Sequence, residues 1–144
     1  MTLKQISVFV ENKPGKLQLL TDVLAQNKIN LRALSLAEAS EFGIVRIIAE
    51  DIQTASKILT DADYIHAITD VIGVAIPDEA GGLNRVLAIL SKAGINVEYM
   101  YAFFGGKNTD CAYMIFHVQE PETSVAVLAD HNITCVSQED ILRA

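Results

Sequence analysis

An α+β fold made of two consecutive βαββαβ units is what this sequence predicts, and three observations carry the prediction. The stretch Gly15–Leu31 recurs at Gly81–Val97, an offset of 66 (81 − 15). Gly15/Gly81, Leu17/Leu83, Leu24/Leu90, Ile29/Ile95 and Asn30/Asn96 are identical, five of seventeen aligned positions, and Leu20/Val86, Val23/Ile89 and Leu31/Val97 exchange one apolar residue for another. A repeat of this kind decides the architecture before any local feature does. Around each copy, short β-branched runs alternate with segments of helical periodicity. No Gly/Ser-rich linker parts the copies, whose junction is the tight Thr69–Asp70. The domains are therefore placed at 1–69 and 70–144.

The elements follow in order. Leu3–Val10 is an apolar, β-branched run suited to a strand. Turn chemistry interrupts it at Glu11–Pro14, where Pro14, with fixed φ and no N–H, fits the first helical turn. Leu17, Leu20, Val23, Leu24 and Ala25 then share a helical stripe that Asn27-Lys28 ends. Ile29–Ala39 is extended, Ser40–Gly43 is a turn, and Ile44–Ala49 is a covered strand. Ile52 to about Asp61 makes a second helix, and Tyr64–Ile68 the fourth strand.

The series restarts with a strand at Val71–Ile76, a turn at Pro77–Gly82 and a helix at Leu83–Lys92 stopped by Gly94. A strand at Ile95–Phe104, a hairpin at Gly105–Asp110 three residues longer than its counterpart, and a strand at Cys111–Gln119 come next. Pro121 opens the last helix and Ile133–Val136 closes the sheet. Each unit should form a four-stranded antiparallel sheet with both helices on one face. Joining the two sheets side by side, into one eight-stranded sheet, would cover an otherwise bare edge. In the strand Ile95–Phe104, alternation puts Val97, Tyr99, Tyr101 and Phe103 on a core face and Met100 and Phe104 on the other. Four of the nine aromatic residues lie between Tyr99 and Phe104, so this strand is also expected to act as a pairing surface.

Composition narrows the function. Half the chain is hydrophobic (51%) with a formal net charge of −7, and its 11 Lys and Arg are scattered, which argues against direct nucleic-acid binding. The sequence has no run long and apolar enough to span a membrane and no basic-then-apolar leader, so the cytoplasm is the default location. Cys111 and Cys135 form no framework and suit buried thiols. His66, His117 and His131 lack metal-ligand spacing, and no cofactor or metal is expected. Catalysis would have to use Cys111, His117, Asp110 or Glu98. Cys111 and His117, six residues apart on one strand, are separated by about 20 Å.

The repeated turn offers binding chemistry instead. A strand runs into a glycine corner, and a helix begins there with unpaired N–H groups and partial positive charge. Asn12, Asn30 and Asn96 each add an amide that donates and accepts. A small zwitterion needs both functions, and two or three charge-assisted bonds of about 1.5–3 kcal/mol each give micromolar-to-millimolar affinity.

At Asn12-x-Pro14-Gly15-x-Leu17, followed by a helix and Ile29-Asn30-Leu31 in a βαββαβ frame, the sequence resembles the ACT domain family, whose ferredoxin-like modules sense amino acids. The resemblance covers essentially the whole chain as two tandem copies. It implies a non-catalytic regulatory module that binds a small amino acid between the two repeats and signals to an enzyme of amino-acid metabolism, held in trans. A homodimer is the implied assembly. Carried over, Asn12, Pro14, Gly15, Lys16 and Leu17 should face Asn96 and Val97, and Asp78, Gly81, Gly82 and Leu83 should face Asn30 and Leu31. Ala80 departs from the family's Pro, and Asp78 stands in place of Asn12, so two unequal sites are expected, the Asn12/Asn96 one the better. A ligand-free oligomerisation adaptor is the alternative, and a small ferredoxin-like enzyme a more distant one.

Overall fold

The computed structural model describes residues 1–103 and 110–143. Phe104 and the hairpin residues 105–109 lie outside this range. The chain divides into two compact units, Lys4–Thr69 and Asp70–Ala144, the latter joined by Met1–Leu3.

In the first unit, β1 (Leu3–Glu11), β2 (Leu31–Ala39), β3 (Phe42–Ala49) and the start of β4 (His66–Pro77) are ordered β2-β3-β1-β4. The pairs β1–β3 and β2–β3 are antiparallel, with Glu11 opposite Phe42 and Leu31 opposite Ala49. Helices α1 (Lys16–Gln26) and α2 (Ile52–Asp61) lie on one face. Their Leu20, Leu24, Ala55 and Leu59 pack on Ile6, Val8, Val10, Val45 and Ile47, all nearly or fully buried. The second unit repeats the plan with β4, β5 (Val97–Ala102) and β6 (Cys111–Val118), ordered β4-β6-β5. Val86 of α3 (Gly82–Lys92) and Leu128 of α4 (Pro121–Asp130) meet Ile72, Val74, Phe116 and Val118 there.

The four helices α1 to α4 end alike. Lys28, Asp63, Gly94 and Asn132 all take positive φ, between 57 and 74°. The next residue, Ile29, Tyr64, Ile95 or Ile133, donates its N–H back to the carbonyl of Leu24, Leu59, Leu90 or Leu128. This doubly bonded cap satisfies two of the carbonyls a helix end leaves open and turns an apolar residue into the core.

Three expectations change. Among the described residues there are six strands, not the eight of a joined sheet. The predicted fourth strand of the first repeat and first strand of the second are one strand, β4, because nothing between Ile68 and Val71 breaks the extended chain. The predicted closing strand at Ile133–Val136 shrinks to a single bridge, Val74 with Cys135. It gives way to a short helix, α5 (Gln138–Arg143). Ser137 caps α5: its Oγ accepts the Asp140 N–H at 3.1 Å, while Asp140 Oδ2 accepts the Ser137 N–H at 2.8 Å.

The facing of β5 also differs. A register irregularity between Val97 and Tyr99 interrupts alternation. Val97 and Met100 therefore both pack on the helix-side core. Tyr99 and Tyr101 turn to the opposite face, where Tyr99 stacks on His117 with centroids 4.7 Å apart. An irregularity stands at the corresponding place in β2, between Leu31 and Ala33, so the bulge belongs to the repeat.

Candidate functional site

The two glycine turns have the same backbone structure, bond for bond. In the first, Lys13 N–H donates to Glu11 O (3.0 Å), Lys16 to Lys13 (3.2 Å) and Leu19 to Gly15 (3.0 Å). In the second, Glu79 donates to Pro77 (2.8 Å), Gly82 to Glu79 (3.1 Å) and Arg85 to Gly81 (3.0 Å). Asn12 N–H reaches Glu41 O and Asp78 N–H reaches Asp110 O, both at 2.9 Å. That last offset is 69 (110 − 41) instead of 66, which absorbs the longer hairpin of the second repeat. Ala80 in place of Pro14 leaves the turn unaltered.

Gly15 and Gly81 are the N-caps of α1 and α3, each left-handed at φ 84°, and neither helix has a side-chain cap. The first helical bonds run to Gly15 and Gly81 themselves, so helix geometry leaves the N–H groups of Leu17, Gln18, Leu83 and Asn84 open. A Cβ on Gly15 would meet nothing within 4 Å. The glycine is therefore required by its φ and not by helix-on-strand packing. Gly82 is the packing glycine, where a Cβ would fall 2.5 Å from Pro77 O.

Side chains distinguish the turns. Exposed Asn12 donates its amide to Ser40 O at 3.2 Å. Lys13 Nζ lies 3.1 Å and Lys16 Nζ 3.9 Å from the two Glu11 oxygens. The hydrogen bond from Lys13, then the charges of Lys13 and Lys16, hold the Glu11 carboxyl below the usual range. Around the second turn stand Asp78 and Glu79, with the Arg85 guanidinium bonded to Glu79. One turn thus offers two cations and one carboxylate, the other two carboxylates and one cation.

The asparagines differ too. Asn30 commits its amide to Glu50 Oε1 at 2.8 Å, an oxygen that Arg32 Nε also approaches at 3.5 Å. Asn96 is exposed over a groove of about 370 Å³ lined by Leu87, Ser91, Gly94, Ile95 and Val97. Leu17, Leu31, Leu83 and Val97 are partly buried against the two cores and position their segments. Exposed Pro14 lies in the first turn.

Within one unit the turn and the strand start lie at opposite ends of the sheet. Glu11 is opposite Phe42 and Leu31 opposite Ala49, seven residues along β3, or about 23 Å. One small molecule cannot touch both.

Sequence reasoning missed Glu11 and Glu50, although Glu11 stands two residues from Lys13 and five from Lys16. It also missed that Glu98 and His117 meet, with Oε2 and Nδ1 2.8 Å apart. That pair sits at the β5 bulge, where the Tyr99 ring stacks on His117. Cys135 is buried, which pushes its thiol above the ordinary value and keeps it protonated and inert. Among the described residues no group of three His, Cys, Asp or Glu is placed to hold a metal ion. No helix among them is long and apolar enough to cross a membrane.

Comparison with known proteins bears on this geometry. A family model described as an ACT domain pair matches residues 1–144. A solved structure of a protein from Bacteroides thetaiotaomicron is 38% identical, with 100% of this chain and 98% of that one covered and a TM-score of 0.91. The regulatory subunit of aspartate kinase from Thermus thermophilus, in ligand-free form, is 11% identical over 88% of this chain and 90% of that one, TM-score 0.61. Its counterpart from Thermus flavus is 12% identical over 96% and 90%, TM-score 0.64. At that identity the two subunits share the fold. Among curated proteins, none matches the chain.

Proposed function

Since the chain belongs to the ACT domain pair family, a family of regulatory, non-catalytic modules, we propose that it binds a small amino acid and passes the occupancy on to a partner. The observation that carries this reading is the duplicated turn, with a left-handed glycine cap, open helix N–H groups and neighbouring amide side chains. These supply donors for a carboxylate and acceptors for an ammonium. Asn12, Pro14, Gly15, Lys16 and Leu17 form one half of the proposed site and Asn96 with Val97 the other. The weaker site takes Asp78, Gly81, Gly82 and Leu83 with Asn30 and Leu31. Three features favour the first combination. Lys13 and Lys16 stand beside its turn, Asn12 replaces an aspartate that would repel a ligand carboxylate, and the Asn96 amide is not committed to a carboxylate as Asn30 is.

The mechanism is population shift: a ligand touching two repeats favours the arrangement in which both half-sites are aligned. The partner is an enzyme of amino-acid metabolism held in trans, a role suggested by the regulatory subunits of aspartate kinase that share the fold. A homodimer is the proposed assembly. Calorimetric titration of Asn12→Ala and Asn96→Ala tests the combination. Loss of about 1.5–3 kcal/mol of binding free energy in each, about 10- to 150-fold, is expected for a charge-assisted bond. Full affinity in both would contradict the assignment. An oligomerisation adaptor without ligand remains the competing reading, and it requires both variants to assemble normally with no amino acid bound by the native chain.

A further inference from the structure

We infer that the amino acid taken up at the Gly15 turn is one with a large apolar side chain, an inference that rests on the effector reading above. Beside that turn lies a groove of about 260 Å³ whose apolar lining includes Phe9, Leu19, Phe42 and Ile65. These four are 45, 51, 52 and 75% exposed, half of the eight exposed large hydrophobic residues among the described residues. Single exposed hydrophobics are ordinary on a protein surface, but four converging on one concavity are not. The groove is slightly smaller than the roughly 300–1,000 Å³ that receives drug-sized molecules. It suits a single amino acid better than a peptide or a helix.

Its rim has the charge pattern of an α-amino acid. Glu11 and Lys16 line it, their carboxylate oxygen and Nζ 3.9 Å apart, and Asp63 adds a second carboxylate. Phe9 N–H bonds Ile65 O at 3.0 Å. By strand alternation the Glu11 N–H, two residues on, points to the same side. A ligand carboxylate there meets the Glu11 N–H and Lys16, an ammonium meets the Glu11 and Asp63 carboxylates, and the side chain lies over Leu19 and Phe42. Glycine or aspartate would leave the four apolar residues in water, gaining nothing from them. The groove therefore selects by side-chain size and polarity, while the turn recognises the part common to all amino acids.

The test is calorimetry on the full chain with leucine, isoleucine, methionine and phenylalanine against glycine, serine, aspartate and lysine. Titrations are repeated on Leu19→Ala and Phe42→Ala, positions whose exposure lets the fold survive truncation. At least one large apolar amino acid should bind about 10-fold or more tighter than glycine or serine, and both variants should erase most of that preference. Binding of a small or polar amino acid alone, unchanged in both variants, would overturn the groove and leave the effector reading standing. Binding of none of the eight would overturn the groove and count against the effector reading as well. Self-association that both variants abolish, with ligand affinity unmoved, would overturn the inference in favour of a second copy as occupant.

Discussion

At the residue scale the repeat uses different side chains to solve one backbone problem. Gly94 adopts the left-handed cap of α3 without strain, whereas the equivalent residue of α1 is Lys28, at φ 57°. A side chain in that region costs about 1 kcal/mol or more. Lys28→Gly should therefore raise stability by about 0.5–1 kcal/mol, less than the full strain because glycine also loosens the unfolded chain. Gly15→Ala should lower it by about 1–2 kcal/mol through φ alone, since its Cβ would meet no neighbour. Urea denaturation measures both, and a null result for Gly15→Ala would remove the conformational reason for the turn's glycine. Gly15, Gly81, Asn30 and Asn96 were legible because identity at a fixed offset needs no structural knowledge. Glu11 and Glu50 were not, because a carboxylate's role depends on what the fold brings beside it.

Elements were legible where periodicity held. The positions of α1 to α4 follow from their apolar stripes, and Pro121 marks the start of α4. Failures came where the chain departs from a regular period. A bulge adds one residue without a compositional mark, so strict alternation grouped Val97 with Tyr99 and Tyr101 and set Met100 apart, whereas Val97 and Met100 share the helix-side core and Tyr101, though buried, lies on the other face. Continuity across Thr69–Asp70 hid the merger of two strands into β4. The helix α5 did carry a sequence mark, the capping pair Ser137 and Asp140, but a six-residue helix has almost no periodicity to confirm it. That cap is pH-dependent. Hydrogen bonds from the Ser137 backbone and side chain lower the Asp140 carboxyl below its ordinary value. A lowered folded-state value means the stabilising contribution is complete above the ordinary carboxyl range and is lost as pH falls through the folded-state value. Amide exchange in α5 should be faster in Asp140→Ala than in the native chain at neutral pH, and the two should converge in acid. Equal exchange at neutral pH would show that the cap does not hold this helix.

For the whole molecule, duplication is what the sequence made most legible, and with it the family. The number of strands was less legible, because sharing and shortening of strands is decided by tertiary contacts. The duplication is unequal in charge. Lys13 and Lys16 flank one turn while Asp78 and Glu79 stand at the other, so one strong effector site per chain is expected in place of two equal ones. A ligand that binds only the folded chain stabilises it, by about 2.7 kcal/mol at a hundred times its dissociation constant. In a chain of this size that is a rise of several degrees in the melting temperature. The most direct test is the melting temperature of the native chain against each of the twenty amino acids at millimolar concentration. A rise of several degrees with one or a few of them, and none with the rest, is the predicted result. No shift with any of the twenty would contradict the amino-acid sensor.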